Sequence, residues 1–155
     1  MLKRLIAAVM LLATPVLAQN AVPSAETVTV VPAGDIVQRL GAAPAKPGAA
    51  VSSSINVTDH YIALFSHRTA DGTPEQHAKW TDVMVMLQGE VTLTYGGALS
   101  GNTVDANGES HGGMIAGGTT VVLHAGDYLR MPAGVPHLMT APKGDFRYFV
   151  TKVHV

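Results

Sequence analysis

The sequence predicts an all-β domain, a sandwich or barrel of many short strands, on three observations. Val91, Leu93 and Tyr95 alternate with Glu90, Thr92 and Thr94, the period of a sheet whose two faces differ. Glycines punctuate the apolar runs throughout the second half of the chain. No stretch after residue 41 carries the apolar spacing of an ordinary helix.

The elements follow in order. Lys3 and Arg4 precede an uncharged apolar stretch from Leu5 to Ala13, and Val16-Leu17-Ala18 presents small residues where a signal peptidase reads. Residues 1–18 therefore read as a bacterial-type signal peptide, too short in its apolar part for the ~20 residues that span a bilayer. Export to the periplasm or the medium follows, with the mature chain starting at Gln19 and no membrane attachment after cleavage. Residues 19–55 form a second unit: a β-branched arm over 19–33, a short helix over Asp35–Leu40 stopped by Gly41, and an Ala/Pro/Gly/Ser linker from Gly41 to Ser54. Residues 56–155 make the barrel, with strands expected at 57–68, 74–80, 82–88, 90–95, 119–125, 127–131, 136–140 and 146–154. Gly89, where two runs meet, suits a tight turn. Gly96 to Gly118 breaks the rhythm as a long loop holding eight of the sixteen glycines, a length typical of functional or mobile segments.

Composition narrows the function. A formal net charge of -1 argues against nucleic-acid binding through a broad basic surface. The absence of cysteine excludes thiol catalysis, thiolate metal sites and disulfides. Aromatic residues, at 5%, are too few for stacking platforms.

Two short stretches concentrate the chemistry. The later runs from Gly126 through Pro132-Ala133-Gly134 to His137, with Pro132 and Pro136 stiffening the approach to the histidine. A rigidly placed imidazole suits a metal ligand or a general base. This spacing resembles the second motif of the cupin superfamily through the histidine. The resemblance covers roughly residues 60–153 and implies a double-stranded β-helix, or jelly-roll, barrel. The first cupin motif, His-x-His, three or four residues, Glu, six residues, Gly, has a counterpart in Glu75-x-His77, four residues, Asp82, six residues, Gly89. The spacing is kept, while Glu stands for the first His and Asp for the Glu. The resemblance thus places His77, Asp82 and His137 in the barrel mouth as metal ligands, with Glu75 as a second carboxylate. Imidazole and oxygen donors suit a divalent ion such as Fe, Mn, Ni or Zn. Asp reaches less far than Glu, so whether Asp82 meets the ion is open, and Lys79 is a candidate partner for either acid.

Strand parity extends the site. If Asp82 points inward, so do Met84, Met86 and Gln88, and Met139 shares the face of His137. Met84, Met86 and Met139 would form a soft apolar pocket wall for a small molecule. His60, His67, His124 and His154 read as surface residues, and His111 as a solvated loop histidine or a cap on the pocket. The expectation is an exported, metal-binding cupin acting as an enzyme on a small organic molecule. A non-enzymatic binding protein and a structural cupin with a vestigial site stay open beside it. Small cupins commonly pair, and the 19–33 arm offers a strand edge, so a homodimer is expected.

Overall fold

The computed structural model describes residues 29–41 and 50–155. The signal peptide, most of the arm and residues 42–49 of the linker lie outside them. Helix α1 spans Ala33–Gly41 and begins where Asp35 and Ile36 donate their N–H groups to the Pro32 carbonyl. It buries no side chain; Arg39 ties it to the barrel by donating to Ser53 Oγ at 2.7 Å and to the Ser54 carbonyl at 3.1 Å.

The remainder is antiparallel sheet. In chain order the strands are β1 (Ala50–Val57), β2 (Tyr61–Arg68), β3 (Glu75–Gln76), β4 (Trp80–Tyr95), β5 (Ala98–Ser100), β6 (Thr103–Val104), β7 (Ser110–His111), β8 (Met114–Ala116), β9 (Thr119–His124), β10 (Tyr128–Met131), β11 (His137–Thr140) and β12 (Phe146–His154). One sheet runs β1–β2–β12 to the first half of β4, whose other edge takes β10. The second half of β4 pairs with β9 and β11, and β11 leads on through β3 and β7 to β6. Strand β4 is therefore the hinge between two sheets, the arrangement of a jelly-roll barrel.

Three local expectations are corrected. The linker ends earlier, because residues 50–54 pair with β2 as part of β1. Gly89 does not close a hairpin: its φ of 83° bends one long strand, whose two halves find different partners. Gln88 is exposed rather than inward, because a register shift opposite Arg147/Tyr148 leaves Leu87 unpaired and resets the alternation.

The core fills the space between the sheets. Phe146, Val91, Leu93 and Met86 are fully buried, with Met84, Met131, Met139, Leu123, Tyr148 and Val150 packed around them. Phe146 and Tyr148 stack with ring centroids 5.9 Å apart. Their row on β12 continues through Val150 to Lys152, so one inward face runs from apolar core to a charged head group.

Gly89 gives a test of this hinge. A Cβ there would drive into the Asp145 carbonyl oxygen and lie 2.9 Å from Phe146 Cα, in a backbone conformation that L-residues avoid. Gly89→Ala is expected to lower stability by roughly 2–3 kcal/mol, combining the left-handed penalty with overpacking. Urea denaturation checks it; a loss below about 0.5 kcal/mol would mean that β12 yields freely at this point.

Candidate metal centre

Sheet register builds the site. His137 opens β11 directly opposite Glu75 of β3, so the two face one another as a cross-strand pair. His77 lies just past the end of β3, where its carbonyl accepts the Gly134 N–H at 2.8 Å. That bond ties the two motifs together. Asp82 on β4 stands directly opposite Lys152 on β12.

Glu75, His77 and His137 each offer a ligand atom, and those atoms all lie within 4.8 Å of one another. The rings of His77 and His137 are 5.2 Å apart. Each imidazole has its outer nitrogen held. His137 Nδ1 donates to the Val135 carbonyl at 3.0 Å, and His77 Nδ1 donates to the Glu109 carboxylate at 2.5 Å. With Nδ1 protonated, both Nε2 atoms turn a lone pair inward, the orientation that metal-ligating histidines take from such partners. His137 Nε2 is buried and makes no hydrogen bond among the described residues, with Glu75 Oε1 3.4 Å away. An orphaned, inward lone pair beside a carboxylate is what a divalent cation satisfies, so these three residues fit a metal.

Asp82 is placed differently. Both its oxygens accept hydrogen bonds from Lys152 Nζ, each at 2.9 Å, and the same ammonium donates to His77 Nε2 at 2.7 Å. Asp82 is almost fully buried and 3.4 Å from His77 Nε2. The cation that meets it is Lys152, while Lys79 is exposed. No motif signals Lys152; only the β4–β12 register reveals it.

Glu109 was equally hidden. It lies in the glycine-rich segment, which is ordered into short strands and a turn over 105–109. Asp105 Oδ1 accepts the N–H groups of Asn107 and Glu109, and that turn delivers the Glu109 carboxylate to His77 and to the Ala78 N–H. His111 pairs backbone to backbone with Glu75 but is exposed. His67 is corrected from surface to buried, 3.1 Å from Asp145.

A cavity of about 160 Å³ opens beside these residues. Leu64, Met84 and Val150 form its apolar wall, and Arg68, Glu75, Asp82 and Lys152 its charged one. Of the three methionines expected here, Met84 lines the cavity, while Met86 and Met139 belong to the core cluster. Two residues along β4 carry Met86 about 7 Å from Met84, and it is outside the cavity lining. The pocket is correspondingly more charged than an apolar one.

Electrostatics follow from these contacts. Burial opposes ionisation of Glu75, yet the contact with His137 and the charges of His77 and Lys152 lower its pKa to about 2. Burial also opposes ionisation of Asp82, but His77 and Lys152 hold it below the ordinary range. At His77 burial disfavours the charged ring, and Asp82 with Glu109 raises its pKa despite Lys152. A depressed carboxylate contributes stability that is present above its ordinary pKa and lost as pH falls through the folded one. For Glu75 that window runs from 4.5 down to about 2. The chelator-treated protein is therefore expected to lose thermal stability as pH falls through this range, with Glu75→Gln flattening part of the slope. Melting curves of equal steepness for both proteins would contradict the assignment.

No protein-family model matches the chain, and no curated protein matches it in sequence. Solved structures do. The chain is similar to a cupin superfamily protein from Desulfitobacterium hafniense, at 17% identity over 73% of this chain and 84% of that one, with a TM-score of 0.50. It is similar to the cupin domain of Schizosaccharomyces pombe Cnp3, at 13% identity over 68% and 65% of the chains, TM-score 0.51. It is also similar to hydroquinone 1,2-dioxygenase PnpCD, solved with Cd²⁺ and 4-hydroxybenzonitrile, at 16% identity over 72% and 67%, TM-score 0.52. At these identities the likeness establishes the fold alone: the chain is an all-β protein with a cupin-type fold.

Proposed function

We propose that this cupin-fold protein binds a divalent metal through Glu75, His77 and His137 and acts as an enzyme on a small organic molecule held in the adjoining cavity. The observation that carries the reading is the pinning of both imidazoles at Nδ1, which leaves both Nε2 atoms unprotonated in a group whose ligand atoms, with one from the Glu75 carboxylate, lie within 4.8 Å of one another. Such an ion, when bound, supplies Lewis acidity or oxygen activation. The chain's own residues do the rest. Glu109 and Val135 fix the rings, Leu64, Met84 and Val150 exclude water from one wall, and Arg68 and Lys152 set positive charge in the other. A cavity of about 160 Å³ is below the ~300–1,000 Å³ of drug-sized sites and suits a small molecule. Among proteins of this fold, hydroquinone 1,2-dioxygenase PnpCD is solved with Cd²⁺ together with a small molecule, 4-hydroxybenzonitrile.

The reading includes export and pairing. Lys3-Arg4, the apolar run and Val16-x-Ala18 support cleavage before Gln19, and the β-branched 19–33 segment supports a homodimer. Elemental analysis of protein purified from the periplasm without chelating resin tests the metal. N-terminal sequencing and sedimentation of the same material test export and pairing. About one equivalent of metal per chain is the expected result. Metal-free protein that takes up none of Fe²⁺, Mn²⁺, Ni²⁺ or Zn²⁺ would overturn the reading and leave a structural cupin.

A further inference from the structure

Lys152 holds a position that the ligand set does not explain. It ends the inward row Phe146, Tyr148, Val150 on β12, and its side chain is only 22% exposed. An ammonium has three N–H donors, and here His77 Nε2, Asp82 Oδ1 and Asp82 Oδ2 accept them at 2.7, 2.9 and 2.9 Å. Its donors are fully used, and its contacts are one imidazole nitrogen and one carboxylate. The first of them, His77 Nε2, is what a metal ion would take in this half of the site.

The conflict is stereochemical. A neutral imidazole with Nδ1 protonated has a single lone pair at Nε2. That pair serves the Lys152 ammonium or a metal ion, never both. Charge sharpens the exclusion, since a divalent ion at His77 would lie close to a fixed positive charge in a poorly solvated site. His137 Nε2, by contrast, has no hydrogen-bond partner among the described residues.

We propose that Lys152 is an intrinsic competitor for this metal site: its ammonium holds His77 Nε2 in the ion's place, Asp82 is its counterion rather than a ligand, and loading a divalent cation displaces it. The inference rests on the metal-binding reading above. Lysine suits the role because its four-carbon stem lets the head group swing away without moving β12. The site is then tuned to load only where free metal is sufficient to drive the ammonium off.

Zn²⁺ titrations against a chromophoric chelator test this on the wild type, Lys152→Met and the double variant Lys152→Met/Asp82→Asn. The double variant removes the buried charge that Lys152→Met leaves uncompensated, so it carries the test if the single variant misfolds. Both are expected to bind Zn²⁺ about tenfold or more tighter than wild type, the scale on which groups around a metal's ligands act. The single variant should gain more, because Asp82 is released to ligate. In the wild type, the Lys152 ¹³Cε resonance should shift as Zn²⁺ saturates the site. Variants no tighter than a Zn²⁺-binding wild type, or a resonance unmoved at saturation, would overturn the inference and leave the metal reading standing. Zn²⁺ bound by the variants and not by the wild type would uphold Lys152 as competitor and overturn metal dependence of the native chain. Zn²⁺ bound by none would overturn both.

Discussion

Replacing His137 by alanine is expected to empty the site of metal, cutting occupancy of the purified protein to background. The residue is buried at the start of β11, and the Val135 carbonyl fixes its Nδ1, so Nε2 has one direction to face. Its Nε2, 3.4 Å from Glu75 Oε1, also has no hydrogen-bond partner among the described residues, whereas His77 Nε2 accepts from Lys152. Removing it leaves Glu75 and His77, and two donors hold a divalent ion too weakly to survive purification. His77→Ala should act similarly. His111→Ala and His124→Ala should leave occupancy unchanged, because both rings are exposed and outside the Glu75–His77–His137 group. Elemental analysis of the four variants, with circular dichroism to verify folding, decides the matter. Equal loss in all four would point to adventitious surface metal, and no loss in His137→Ala would remove that residue from the ligand set.

How much of this was legible in the sequence depends on the kind of contact. The strands from residue 119 onward fall within a residue or two of their expected places, because each is a short β-rich run bounded by Gly, Pro or Asp. Glu75, His77 and His137 were found from motif spacing, which reports on groups held near one another by a recurrent fold. Strand parity placed Asp82, Met84 and Met86 on one face correctly, and it failed at Gln88, where a bulge that leaves no trace in composition resets the count. Lys152 was invisible for a related reason. It lies seventy residues from Asp82, and only the pairing register of two distant strands sets them opposite. The Gly96–Gly118 segment was unreadable because its glycines serve conformation: nearly all of them sit at positive φ, in turns that no periodicity announces.

That segment supplies the other large expected effect. Glu109→Gln should weaken metal binding about tenfold to a hundredfold, the usual cost of losing a carboxylate that orients a ligating histidine. Glu109 makes two contacts, one oxygen accepting His77 Nδ1–H and the other the Ala78 N–H. Glutamine has one acceptor where glutamate has two, so the amide must give up one contact, and it brings no charge to raise the basicity of His77. The turn that delivers the residue is built independently, by Asp105 accepting from Asn107 and Glu109 and by the Gly108 N–H bonding to the Asp105 carbonyl at 3.1 Å. Gly108, at φ 86°, brings the turn so near Ala78 that a Cβ on it would lie 3.2 Å from the alanine methyl. The substitution therefore should not unfold the loop, and the melting temperature of chelator-treated protein should change little. Affinity and stability separate two roles. Weaker Zn²⁺ binding at unchanged stability makes Glu109 a positioning residue for His77. Unchanged binding would mean that the Gly134 N–H on the His77 carbonyl suffices to aim the ring, and the glycine-rich segment would then have no part in the metal centre.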